Sequence, residues 1–199
     1  MQQVSWTKME DGTQEDYEFL SSTFTDHARS EVVANLVTLL RIMEGPKLGY
    51  QIDRYQHSLQ AATRALRADE RLDLVVGALL HDVGDSIAPE NHSGLAAAIL
   101  KPYVDDETHW VVQHHGLFQG YYYFHHLGGD RSARDVFEDA EHYDACVRFC
   151  AEYDQNCFDP DYDTLPIEEF IPMMEEVFGR ESRVPGIAPV GFTAASVLP

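Results

Sequence analysis

His81 and Asp82 sit side by side where the apolar run Leu72 to Leu80 gives way to Val83-Gly84-Asp85. A carboxylate at the end of a buried helix is costly to desolvate unless something neutralises it. Neutral imidazole and carboxylate are both good ligands for divalent iron, manganese or zinc, so a bound metal ion answers that cost. Partner ligands exist elsewhere in the chain: His57, His92, His115 and Asp154. One buried histidine is an ordinary core residue. A histidine or aspartate on the inner side or end of five separate helical segments is how helical bundles build metal sites.

Those segments follow from apolar spacing and from capping and stop signals. Thr13 with acids behind it predicts a first helix to about Asp26, and Ser30 predicts the cap of a second that Gly45-Pro46 ends. A third helix, about Ile52 to Ala68, carries His57 on a face with Ala61, Ala65 and Ala68, which predicts a tight interior seam. A fourth, about Glu70 to Val83, ends at His81-Asp82 with Gly84 as its stop. Ala88-Pro89-Glu90-Asn91 opens a fifth that holds His92 and closes at Pro102. A sixth, about Asp105 to His115, presents either His114 or His115 inward, since neighbours on a helix cannot face one point. The aromatic run Gly116 to Gly129 reads as a helix or long loop over the interior, and a seventh element holds Arg131, Arg134 and Phe137. An eighth, about His142 to Asp154, ends at its acid, and Ile167 to Val177 is a last amphipathic helix. The expected class is all-α, with residues 1–180 as one domain, a metal-binding core at about 50–155, and a tail over 181–199. His27, His109, His125, His126 and His142 read as surface or lid residues.

The order His57, His81-Asp82, Asp154 resembles the H…HD…D pattern of the HD-domain superfamily, over about Ile52 to Asp154. The resemblance implies an all-α, metal-dependent helical bundle. His92 and His115, lying between the HD pair and the last aspartate, resemble the two-metal branch. That branch holds phosphodiesterases and phosphatases, and also diiron oxygenases similar to myo-inositol oxygenase and the phosphonate-cleaving HD oxygenases. It implies one ion on His57, His81 and Asp154, a second on His92 and His115, and Asp82 as the bridging catalytic carboxylate. For an oxygenase the cofactor would be two irons, a mixed-valent Fe(II)/Fe(III) pair with O2 as co-substrate, cleaving a C–P or C–C bond. The alternative is a metal-dependent phosphohydrolase acting on a phosphomonoester or nucleotide. A metal-stabilised sensor module is the non-enzymatic reading, and no attached effector segment favours it.

Phosphoryl chemistry needs cationic help near the metals. Of Arg54, Lys101, Arg131 and Arg134, only Arg54 is near a ligand in sequence, which favours the oxygenase. The HD oxygenases carry a basic residue three positions after the motif aspartate, where this chain has Asp85. An acid there repels an anion and attracts a cation, and Tyr50, Tyr55 and Tyr121 to Tyr123 can face a quaternary ammonium group. The expected substrate is a small hydroxylated molecule, such as a 1-hydroxyphosphonate, bearing an amine or trimethylammonium group. The expected contacts are Asp85, Gln119, Tyr50, Arg54 and Tyr121.

The net charge of −20 disfavours nucleic acid and anionic membrane surfaces. Cys146, Cys150 and Cys157 read as reduced thiols of a cytoplasmic protein, with a three-cysteine zinc site as the lesser alternative. No apolar run approaches the roughly 20 residues of a membrane span, and the polar, acidic N-terminus is not a signal peptide.

Overall fold

The computed structural model describes residues 3–184, and they contain helices and no strand. Seven α-helices follow in order: α1 Gln14–Ile42, α2 Arg54–Arg67, α3 Leu72–Leu80, α4 His92–Leu100, α5 Asp106–Tyr123, α6 Tyr143–Phe149 and α7 Ile171–Phe178. None of these helices is long and apolar enough to cross a membrane.

α1 is a single helix where a break was expected between Asp26 and Ser30. Its start is a capping box, in which Thr13 Oγ1 accepts from Asp16 N–H and Asp16 accepts from Thr13 N–H. Ser30 does not cap anything. Its hydroxyl donates to the His27 carbonyl one turn back, and no Gly or Pro interrupts the run. Only the C-terminal half of α1 buries leucines, Leu36 and Leu40.

α2 and α3 form the central pair. Asp53 caps α2 by accepting from Gln56 N–H at 2.8 Å, and its other oxygen accepts from Gly45 N–H, which closes the preceding loop. Ala61, Ala62 and Ala65 of α2 and Ala78 of α3 are fully buried, so the two backbones approach closely at the expected small-residue seam. Gly77 of α3 faces α5, where a Cβ would meet Thr108 Cγ2 at 2.8 Å. The apolar walls are Leu74, Val75, Leu79, Leu80, Val111, Val112, Phe118 and Phe149, all almost fully buried.

α5 runs on past His115 to Tyr123 and absorbs most of the aromatic stretch. A short 3-10 turn, Phe124–Leu127, ends at Gly128, whose φ of 79° is left-handed. α6 is followed by a π-helical turn, Cys150–Asp154, in which Gln155 N–H donates to the Cys150 carbonyl. Beyond α7, Arg180 pairs with Asp73, and Arg183 N–H donates to the Pro102 carbonyl. The tail expected over 181–199 therefore begins as chain packed on the α4–α5 connection, and residues 185–199 lie outside the described residues.

Candidate metal centre and cavity

Four imidazoles and two carboxylates converge where α2, the turn after α3, α4, α5 and the π-helical turn meet. Asp82 sits at the middle. Its Oδ2 faces His57 Nε2 at 3.4 Å and His81 Nε2 at 3.3 Å, and its Oδ1 faces His115 Nε2 at 3.2 Å and His92 Nε2 at 3.6 Å. Asp154 Oδ1 closes the first group, 3.3 Å from His57 Nε2 and 3.7 Å from His81 Nε2. His57, His81, Asp82, His115 and Asp154 are buried, and His92 is partly open.

Local folding explains how each side chain arrives. His57 lies one turn into α2 on the alanine face. α3 stops at Leu80, about three residues before the expected end at Val83, so His81 and Asp82 belong to a tight turn. Gly84 serves that turn by close approach rather than as a helix stop. A Cβ on it would lie 2.7 Å from the backbone Cα and O of His92, so its lack of a side chain lets α4 begin against Asp82. Gly116 clears the opposite side, where a Cβ would sit 3.4 Å from His92 Nε2. The π-helical turn places one extra residue in the last turn of its segment, and Asp154 ends buried against the histidines.

Three of the rings are locked from behind. His57 Nδ1 donates to the Cys157 carbonyl at 2.9 Å, His81 Nδ1 to the Ala78 carbonyl at 2.7 Å, and His115 Nδ1 to the Val112 carbonyl at 2.7 Å. A carbonyl accepts only, so each Nδ1 carries the proton and each Nε2 turns a lone pair inward in the neutral form. Donors bound to one ion at roughly 2.0–2.2 Å stand about 3.0–3.5 Å apart. The observed spacings lie in or near that range, and the donor set of imidazole and carboxylate suits divalent iron, manganese or zinc. The side chains fit a metal centre.

The electrostatics agree. Burial disfavours protonated His57, but the carboxylates of Asp154 and Asp82 outweigh it and raise its pKa above 6.5. His81 is likewise disfavoured by burial and raised further by the charges of Asp82 and Asp154. Burial pushes the Asp82 carboxyl up, while His81 and Arg54 hold it well below the usual range. Asp154 is held low against burial by its hydrogen bonds with His57 and His81. The two carboxylates thus favour positive charge at the Nε2 atoms of His57 and His81, the place a metal ion would take.

A cavity of about 360 Å³ opens on Asp82, His92, His115 and Asp154. Tyr50, Tyr122, Tyr123 and Phe158 form its aromatic wall, and Arg54, Gln119 and Gln155 supply polar groups. Phe158 stacks on His57 at 4.6 Å, and Tyr50 stacks on Phe158 at 4.8 Å. Gln119 Oε1 is buried and has no hydrogen-bond partner. Arg54 reaches both Asp82, through Nη2, and Asp85, through Nε at 2.7 Å.

Of the expected substrate contacts, Tyr50, Arg54 and Gln119 line the cavity; Asp85 and Tyr121 do not. Asp85 is spent on Arg54 and His92, so its charge is not free to attract a cation. Tyr121 faces the other way, with Arg131 and Arg134 stacked on its ring at 4.1 and 3.9 Å. Between the two histidine candidates on α5, His115 enters the cluster; His114 stacks on Trp110 at 4.1 Å. The three cysteines do not form a zinc site. Cys146 and Cys150 donate to the carbonyls of Val111 and His115, and burial pushes the Cys157 thiol up to about 12. Gln155 and Phe158 went unnoticed in the sequence, although they lie just beyond Asp154.

No curated protein matches the chain. A model of the HD domain matches residues 54–155, from Arg54 at the start of α2 to Gln155 just past Asp154. That span takes in all six clustered side chains, and with it the chain belongs to the HD-domain family, whose members are in general metal-dependent enzymes.

Proposed function

We propose that this protein is a non-haem diiron oxygenase that uses O2 to cleave the C–P or C–C bond of a small hydroxylated substrate. The division of Asp82 supports the two-ion centre on which the reading rests, and the pairing of Arg54 with two aspartates favours O2 chemistry over hydrolysis at that centre. One Asp82 oxygen faces the His57–His81 pair and the other faces the His92–His115 pair, as a carboxylate bridging two ions must. His57, His81 and Asp154 would then hold one ion, and His92 and His115 the other. A ferrous and a ferric ion, when bound, would supply the electrons that activate O2 and a Lewis-acidic seat for the substrate hydroxyl.

The protein's own groups do the rest. Arg54 holds Asp82 in place from the side. Gln119 Oε1, an acceptor without a partner, accepts a hydrogen bond from a substrate hydroxyl or amine group. The wall of Tyr50, Tyr122, Tyr123 and Phe158 offers ring faces to a trimethylammonium group. The cavity favours this chemistry over phosphate-ester hydrolysis because its one arginine is already matched by two aspartates. A phosphohydrolase needs a cation free to meet the phosphoryl oxygens.

The test is anaerobic purification, metal analysis and electron paramagnetic resonance. The expected result is two irons per chain and a mixed-valent signal that changes on adding a 1-hydroxyphosphonate bearing a trimethylammonium group. Phosphate release from that compound should require O2. Hydrolysis of p-nitrophenyl phosphate at full rate without O2 would instead identify a phosphohydrolase.

A further inference from the structure

We propose that Asp85 is the positioning residue for the second metal seat: its carboxylate fixes the ring of His92 and thereby decides whether a second ion binds. This rests on the two-ion reading of Asp82 above. His92 differs from the other three histidines. Their Nδ1 atoms donate to backbone carbonyls at 2.7–2.9 Å, and their side chains are at most 2 % exposed. The His92 side chain is 26 % exposed, and its Nδ1 lies 3.4 Å from the Pro89 carbonyl, a loose contact. The same Nδ1 stands 3.5 Å from Asp85 Oδ1, so the ring has two acceptors at the outer limit of hydrogen-bond reach, and of the two only Asp85 carries a charge.

Asp85 is well placed to act on that ring. Its own N–H donates to the Asp82 carbonyl at 2.9 Å, so it shares the turn that holds the bridging carboxylate. Its second oxygen accepts from Arg54 Nε at 2.7 Å, which pins the carboxylate and leaves Oδ1 directed at His92. Gly84 and Gly116 leave the slot in which the ring stands. A carboxylate behind a metal-bound imidazole fixes its tautomer and orientation and raises its basicity, and removing one typically weakens metal binding 10- to 100-fold.

Asp85, Asp82 and His92 also lie close enough to share an ion directly, and the experiment separates the two arrangements. Wild type, Asp85→Asn and Asp85→Glu are titrated with Co(II) alone, followed by calorimetry and by the visible ligand-field bands. The expected result is two ions on wild type. Asp85→Asn should keep the first affinity and lose about 10- to 100-fold on the second, with unchanged bands at saturation. Asp85→Glu, which keeps the carboxylate, should recover most of the second affinity. The proposal is overturned by unchanged affinity at both seats in Asp85→Asn, by equal weakening of both, or by shifted bands at saturation, which would make Asp85 a ligand. A wild-type chain that takes up one ion only removes the two-ion reading itself, and the role of Asp85 with it.

Discussion

Replacing Gly84 with alanine adds one methyl group at the narrowest point of the centre. The new Cβ would stand 2.7 Å from the Cα and carbonyl oxygen of His92, and both are backbone atoms that cannot rotate aside. Ordinary contact begins at 3.4 Å, so the start of α4 must retreat by about 0.7 Å. Metal–ligand distances tolerate only about ±0.2 Å. A retreat more than three times larger carries His92 Nε2 away from Asp82 Oδ1, from which it already stands 3.6 Å. His57, His81 and Asp154 are on other elements and do not move with α4. Gly84→Ala should therefore bind one ion normally and the second at least about 10-fold more weakly. Overpacking of this kind costs about 1–3 kcal/mol, a Tm drop of about 2–12 °C for a domain of this size. Metal content after dialysis, a stepwise titration and a melting curve read all three quantities. Two ions at wild-type affinity with an unchanged Tm would refute the claim that Gly84 sets the approach of α4.

Asp82→Ala removes the group common to both halves of the cluster, so metal content measured by mass spectrometry should fall at both seats. Phe158→Ala opens the stack on His57 and removes one ring from the cavity wall; KM for a trimethylammonium-bearing substrate should rise several-fold, whereas Tyr121→Phe, outside the cavity, should leave it unchanged. The pH dependence has a definite sign. The raised pKa values of His57 and His81 add stability to the metal-free chain that is fully present below 6.5 and is lost as the pH rises through the raised values. The lowered Asp82 and Asp154 add stability present above 3.8 and lost as the pH falls through their depressed values. The metal-free Tm should thus fall as the pH is taken upward from 6.5. Metal loading in that window must expel protons, so its calorimetric enthalpy should vary with the ionisation enthalpy of the buffer; a buffer-independent enthalpy would rule out protonated histidines.

Much of the centre is legible in the chain because ligand type and helical phase are local properties. An apolar run that ends in His81-Asp82, and histidines or an acid on the inner faces of separate helices, are written in residue order. So is the all-helical class, since the same apolar periods recur without strand patterns. Cap chemistry was less decisive, and Ser30 shows why: a serine inside a run free of Gly and Pro can satisfy its hydroxyl against the preceding turn and leave the helix unbroken.

Tertiary structure decided what depends on how elements cross. His114 and His115 are adjacent on α5 and differ by about 100° around its axis; only the packing of α5 on α3 and α6 chooses between them. Tyr121 and Tyr122 differ by the same angle, and one meets two arginines while the other meets the cavity. The π-helical turn at Cys150–Asp154 alters the phase by a residue that no periodic count supplies. Asp85 reads as a free acid able to attract a cationic substrate until Arg54, 31 residues earlier, is folded against it. Sequence order determined which groups could bind metal, because side-chain chemistry belongs to each residue. Only the fold decided which charges were already paired, because pairing belongs to the space between helices.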